Sequence, residues 1–270
     1  MDYREIALFT DLDGTLFNSN REVSAENIAA INEFLSNGGA FGISTGRAPS
    51  NAATMLPGVE INSWSVVLNG SGAYHFAKGI SSAQKILPKK KMEELIQWVL
   101  CNLPEVNIQL CTDQKLFLLS DADYNDEDFV STHQPMNNVC LDDVLPLPWL
   151  KVLFCAPRIT LEKLKHYADA IGLPSVTDSV YTNEVYLEYL PQNVNKGTCL
   201  RELRKESDMK GRKFIAIGDY TNDVELLQEA DFAIAVANAL PEVKAVADYI
   251  VCSNDDHALA DLIYNVIPKL

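Results

Sequence analysis

The stretch Glu5–Ser19, EIALFTDLDGTLFNS, carries an apolar run from Ile6 to Phe9 that ends in two carboxylates, Asp11 and Asp13, two residues apart. Strands that are apolar along their whole length belong to parallel sheets covered on both faces. In such sheets ligands bind beyond the carboxyl ends of the strands, which is where the two aspartates fall. Residues two apart in extended chain point the same way, so Asp11 and Asp13 reach one space. One carboxylate can then attack an electrophile while its neighbour handles protons, and Gly14 lets the chain turn away. Three readings start here: a cation site, a nucleophile with its acid, or an acidic surface turn. An EF-hand loop is rejected. Glu22 does stand twelfth from Asp11, but the preceding segment is strand-like and Leu16 occupies the place that needs glycine.

The same grammar continues outward. A helix from about Ser24, with Ser24 as N-cap and Gly38-Gly39 as the stop, leads to the strand AFGIS (Ala40–Ser44). A helix over Ala48–Met55 and the strand WSVVL (Trp64–Leu68) follow. The last third repeats the alternation: strand FIAIG (Phe214–Gly218), helix Asn222–Glu229, strand FAIAVA, helix Pro241–Ala247, strand YIVCS and helix Asp256–Val266. Alternating strands and helices predict a doubly wound, Rossmann-like parallel sheet. The middle differs. After a helix over Lys89–Leu100 come paired strand-like runs, NIQLCT and KLFLLS around Asp113-Gln114, then an acidic stretch (Asp121–Asp128) and the proline-rich LPLPW. The strand VLFCA, a helix over Thr160–Ile171 and the pair SVTDSVYT and EVYLEYL complete it. Hairpins with two helices predict an antiparallel sheet covered on one side. The α/β core is therefore expected over 1–83 and 185–270, with an inserted α+β domain over 84–184.

Composition narrows the function. Hydrophobic residues are 47% and charged residues 22% of the 270, a soluble globular balance. No run approaches a membrane-spanning length. The N-terminal MDYREIALF has no secretory pattern, and the six scattered cysteines form no C-x-x-C pair and read mostly as buried thiols. A cytoplasmic protein with no membrane partner is expected. The net charge of −15 argues against nucleic-acid binding. It also repels anionic substrates, so a phosphate site must draw positive charge from a metal, a lysine or a helix N-terminus.

Three further clusters fall at element ends. Thr45-Gly46-Arg47 follows the second strand, where a hydroxyl and backbone N–H groups before a helix make an anion site. A polar turn explains it equally well. Lys196 opens a predicted helix, where its charge opposes the dipole and an anionic partner would account for it, although taken alone an ordinary surface lysine is the simpler reading. Gly218-Asp219-Tyr220-Thr221-Asn222-Asp223 follows FIAI and repeats the opening logic. Asp219 beside Asp11 and Asp13 is strongly repulsive without a hard cation among them, although Asn222 and Asp223 also suit helix capping. Asn69-Gly70-Ser71 fits an Asn-Gly hairpin turn between WSVVL and AYHF.

Taken together, DLDGTL, STGR, the distant Lys196 and GDYTND resemble the four motifs of the haloacid dehalogenase superfamily in order. The gap from Thr45 to Lys196 is similar to that of its Cof-type members, whose large α/β cap is inserted between the second and third motifs. The resemblance implies a magnesium-dependent phosphatase acting on a small phosphorylated metabolite, a sugar phosphate first. It implies Asp11 as the nucleophile that forms an aspartyl-phosphate, and Asp13 as the acid that later activates water. Magnesium would be held by Asp11, the Asp13 carbonyl and Asp219, supported by Asp223. Phosphoryl oxygens would meet Thr45, Lys196, Asn222 and the backbone N–H groups of Leu12 and Gly46. Arg47, Asn69 and Gly70 would lie on the substrate side, since LNGS resembles a family turn that faces the cap. AVANAL (Ala235–Leu240) departs from relatives that often place Met-Gly before the asparagine, but Asn238 is retained. A phosphotransferase or mutase shares all four motifs, and a non-catalytic metabolite sensor could keep the fold; nothing in the motifs requires a second chain.

Overall fold

A computed structural model describes residues 2–82, 85–112, 115–120, 122 and 137–270. The Asp113-Gln114 turn and, apart from Ala122, the acidic stretch at 121–128 lie outside the described residues. The chain opens with β1 (Ile6–Thr10), α1 (Ala25–Ser36), β2 (Ala40–Ile43), α2 (Pro49–Thr54), β3 (Trp64–Val67), β4 (Gly72–His75) and β5 (Ile80–Ser82). There follow α3 (Lys89–Asn102), β6 (Asn107–Cys111), β7 (Leu116–Leu118), β8 (Asn137–Asn138), α4 (Leu141–Val144), β9 (Lys151–Cys155), α5 (Arg158–Ala170), β10 (Thr177–Asn183) and β11 (Tyr186–Pro191). The last part carries α6 (Lys196–Leu203), β12 (Lys213–Gly218), α7 (Val224–Glu229), β13 (Phe232–Val236), α8 (Pro241–Lys244), β14 (Tyr249–Val251) and α9 (Ala258–Asp261).

Two compact units result: Met1–Ala83 with Asn195–Leu270, and Gln84–Val194. The second crossing is a correction, since the sequence placed it at Glu184. β11 pairs antiparallel with both β9 and β10, so the second strand of the hairpin, which that boundary cut off, belongs to the sheet of the insert.

In the first unit a sheet of order β14-β13-β12-β1-β2 is parallel throughout. All of β2 and all but the first residue of β1 and β12 are buried, as expected when both faces are covered. Ser24 caps α1 by accepting the Asn27 N–H at 3.2 Å. The register sets Thr10 opposite Ile217, and the Asp11 N–H still bonds the Ile217 carbonyl at 3.0 Å. The chain beyond β1 therefore leaves the sheet beside the end of β12.

β3 departs from the alternating pattern. It pairs antiparallel with β4 in a separate sheet, β3-β4-β5, and touches the parallel sheet through a single bridge, Ser44 to Val66. Side chains explain this. The Phe41 N–H bonds Asn62 Oδ1 at 2.8 Å and the Ile43 N–H bonds Ser65 Oγ at 3.0 Å, so they take the donors that a ladder would use. Gly42 lets the two segments close, because a Cβ there would meet the Trp64 carbonyl oxygen.

The second unit has the sheet β10-β11-β9-β6-β7-β8, antiparallel except for β7 with β8. Alternation puts Ile108, Leu110, Val152, Phe154, Leu187 and Tyr189 into one core with the apolar faces of α3 and α5. On the other face Lys151 Nζ stands 3.1 Å from Glu188 Oε1 as a buried ion pair. All six cysteines are thiols outside any disulfide. Cys111, Cys155 and Cys199 are buried as small apolar groups, but Cys101 and Cys140 are exposed. No helix among the described residues is long and apolar enough to cross a membrane.

Replacing Gly42 by alanine should lower the stability of the first unit by about 3 kcal/mol, the upper end of overpacking effects. Urea unfolding checks this; a wild-type midpoint would show that the β2–β3 approach does not depend on the missing side chain.

Candidate active site

After β1 the chain makes one wide turn, in which Phe17 N–H reaches the Leu12 carbonyl at 2.8 Å. Within it Asp13 (φ −75°, ψ 122°) and Gly14 (φ 77°, ψ −1°) form a type II bend. Gly14 is required twice: its φ is positive, and a Cβ would lie 2.5 Å from Asp219 Oδ2. The Leu12 and Leu16 side chains enter the core, while Thr15 Oγ1 donates to Asp219 Oδ1 at 2.7 Å.

Asp11 lies 7% exposed at the end of β1. Its Oδ1 accepts from Lys196 Nζ at 2.9 Å, and the same ammonium donates to Asp223 Oδ1 at 2.6 Å. Lys196 opens α6 behind the N-cap Asn195, whose side chain accepts the Thr198 N–H at 2.7 Å. The other oxygen of Asp223 accepts the N–H groups of Asp219 and Tyr220, at 3.1 and 3.2 Å. Asp11, Asp219 and Asp223 offer carboxylate oxygens that all lie within 4.8 Å of one another.

These charges are not balanced. Burial, and then the neighbouring Asp223, hold the Asp11 carboxyl well above the usual carboxylate range, against the pull of Lys196. Asp219 is pushed up to about 6, by burial first; the Thr15 hydroxyl pulls it down and Asp223 raises it. Burial would lower Lys196, but Asp11 and Asp223 outweigh it and keep the ammonium protonated. Three carboxylates against one ammonium leave an excess of hard, anionic oxygen. That donor set fits an oxygen-preferring divalent cation such as Mg2+.

The other predicted residues surround this centre. Thr45 is buried, and its Oγ1 accepts the Arg47 N–H at 3.1 Å. Arg47 grips the exposed Asp13 carboxylate with Nε and Nη2, at 2.9 and 2.8 Å, and donates from Nη1 to Asn51 at 3.1 Å. The structure thus places Arg47 on the second aspartate of the motif, where the sequence expected an anion partner. Asn69 follows β3 with φ 52°, beside Gly46, and its Oδ1 accepts from Asn222 Nδ2 at 3.1 Å. The hairpin turn and the position at the site, two readings of LNGS, therefore coexist. Asn222 donates one of its two amide protons to Asn69, which leaves the other N–H as a donor, while its Oδ1 is buried without a partner among the described residues. Gly70 lies against the backbone of Asn195 at the start of α6. Thr15 and Asn254 were not singled out from the sequence. Thr15 lies inside the opening motif, but no spacing rule connects Asn254 to that turn.

The family model for haloacid dehalogenase-like hydrolases matches residues 8–263. The chain belongs to this family. Phosphatase YwpJ of Bacillus subtilis (strain 168) is 24% identical over 95% of this chain and 98% of its own. The 5-amino-6-(5-phospho-D-ribitylamino)uracil phosphatase YwtE of the same strain is 23% identical over 93% of this chain and 94% of its own. A haloacid dehalogenase-like hydrolase from Bacteroides thetaiotaomicron has the same fold, with TM-score 0.84 at 23% identity, over 98% of this chain and 100% of the other. That structure shares the α/β fold with its parallel-sheet core, and the present chain is a phosphoric monoester hydrolase of this family.

The raised carboxyls set a pH test. Without a cation, Asp219 binds its proton up to about pH 6 when folded and up to about pH 4 when unfolded. Its protonation thus stabilises the fold fully below about pH 4, and this is lost as pH rises through about 6. A divalent cation replaces the proton, so the rise in Tm on adding Mg2+ should grow from about pH 4 to about pH 6. A Mg2+ effect that is flat across this range would contradict the crowding of these carboxylates.

Proposed function

We propose that this hydrolase is a magnesium-dependent phosphatase acting on a small phosphorylated metabolite through an aspartyl-phosphate intermediate. The observation that carries the reading is the buried assembly of Asp11, Lys196, Asp219 and Asp223 at the carboxyl ends of β1 and β12. Asp11, the Asp13 carbonyl and Asp219 hold Mg2+, with Asp223 in support; when bound, the ion neutralises phosphoryl charge and makes an ionised Asp11 compatible with its neighbours.

The chain's own groups then act in two steps. An Asp11 carboxylate oxygen bonds to phosphorus as the bond from phosphorus to the leaving oxygen breaks, and Asp13 delivers a proton to that oxygen. Next, Asp13 takes a proton from a water whose oxygen bonds to phosphorus, and the bond to Asp11 breaks, releasing phosphate. Lys196 orients Asp11 through its hydrogen bond and offers positive charge to a phosphoryl oxygen. Thr45 and the backbone N–H groups of Leu12 and Gly46 bind the remaining oxygens, while Asn69, Gly70 and Asn222 shape the substrate side. Because Arg47 holds Asp13 in the resting geometry, proton transfer requires Asp13 to exchange this partner for the leaving group.

A sugar or sugar-alcohol phosphate is the favoured substrate class, supported by the phosphoribityl compound named for the YwtE relative. A phosphotransferase or mutase would share the first step and pass the phosphoryl group to an alcohol. Intact Asp11, Asp13, Lys196 and Asp219 favour an enzyme over a sensor.

Phosphate release over a panel of sugar, sugar-alcohol, nucleotide and cofactor phosphates tests the reading. Wild-type protein should release phosphate only with Mg2+, and Asp11→Asn should lose at least about 1000-fold in kcat with an unchanged circular dichroism spectrum. Turnover by Asp11→Asn, or no release from any substrate, would overturn it.

A further inference from the structure

The Asp13–Gly14 bend is gripped from a loop outside the four motifs. Asn238, two residues after β13, donates from Nδ2 to the Gly14 carbonyl at 2.8 Å. Its Oδ1 accepts the Asn254 N–H at 3.0 Å. Since a backbone N–H can only donate, this contact fixes which end of the Asn238 amide is oxygen, and hence that nitrogen faces Gly14. Asn254 is 9% exposed and is itself tied down, donating from Nδ2 to the Phe17 carbonyl at 2.9 Å. Asp255 adds a clasp, accepting the Ser19 N–H and hydroxyl, each at 2.7 Å. The segment after Asp13 is thus stapled to the chain following β13 and β14.

The grip matters because of the bend type. Type I and type II bends differ by a flip of the central peptide, which here joins Asp13 to Gly14 and carries the Asp13 carbonyl. Holding the next carbonyl, that of Gly14, from one side and packing Gly14 on Asp219 from the other leaves that peptide one orientation.

We propose that Asn238, oriented by Asn254, is a positioning residue for this site: it locks the Asp13–Gly14 peptide so that the Asp13 carbonyl keeps a single direction. The inference rests on the function proposed above, in which that carbonyl is a cation ligand. Groups that orient ligands in this way change metal affinity or activity by about 10- to 100-fold when removed.

Two variants test it. Asn238→Ala removes the grip. Asn238→Asp keeps the shape and the acceptor for the Asn254 N–H, but sets an anionic oxygen against the Gly14 carbonyl. Mg2+ affinity of the free protein is measured by calorimetry, alongside kcat and KM at saturating Mg2+. Both variants should bind Mg2+ about tenfold more weakly and lose about tenfold in kcat, with KM within about twofold of wild type. A purely structural role would lower the Mg2+-free Tm, and a general charge effect would make Asn238→Asp bind Mg2+ more tightly. Wild-type Mg2+ affinity in the variants, tighter binding by Asn238→Asp, or losses accounted for by a lower Mg2+-free Tm would each overturn the proposal; either variant suffices if the other fails to fold. Wild-type protein that neither binds Mg2+ nor releases phosphate would overturn the functional reading itself, whereas an active wild type matched by its variants overturns only the role of Asn238.

Discussion

The Lys196 ammonium between Asp11 and Asp223 is the contact on which the rest of the site depends. It joins residues 185 and 27 positions apart, in a place where its side chain is fully enclosed. Withdrawing each ion from water costs several kcal/mol, recovered only with good geometry and further hydrogen bonds. Asp223 meets that demand, since two backbone N–H groups and the ammonium satisfy its oxygens. Asp11 and Asp219 are less well compensated, so burial and the neighbouring carboxylates hold both carboxyls above the usual range. An arrangement that stability alone does not favour is suited to receiving a cation and a phosphoryl group.

From this contact the architecture follows outward. The N-terminus of α6 must stand over the ends of β1 and β12, so the helix dipole adds positive potential where Lys196 already concentrates it. The β1–β12 register, with Thr10 opposite Ile217, ends both strands together, so that Asp11 and Asp219 leave the sheet side by side, and Gly14 lets the turn after Asp13 lie directly on Asp219. Asp13 is treated differently. It remains half-exposed on the Arg47 fork and takes no part in the Lys196 pair, an environment that suits the proton transfers proposed for it. In the proposed mechanism the fate of the phospho-enzyme, water or a second alcohol, depends on what reaches that exposed carboxylate.

Much of this was legible from strand ends alone. Continuous apolar runs identified the parallel sheet, and the carboxylates that closed IALF and FIAI located the acidic residues within it. β3 was harder to read. WSVV looks like any buried strand, and its separation from the parallel ladder depends on Asn62 and Ser65 accepting backbone protons of β2. The end of the insert was set at Glu184, through the middle of the β10–β11 hairpin, although the pairing of β11 with β9 and β10 keeps both strands in the insert's sheet. Arg47 and Asn222 show the same limit. The family resemblance put each on the phosphate or substrate side, and what their side chains hold within the protein, Asp13 and Asn69, depends on contacts across the fold. Asn254 carried no signal, because its task is to orient another amide.

The most direct test of the account is a crystal structure of the protein with Mg2+ and beryllofluoride, a phosphoryl mimic that bonds to a nucleophilic carboxylate. The account predicts beryllium bonded to a carboxylate oxygen of Asp11, with Lys196 against the fluorides or that carboxylate and Mg2+ beside Asp219. Beryllofluoride bonded to another residue, or an Asp11 that stays free under conditions supporting phosphate release, would contradict it.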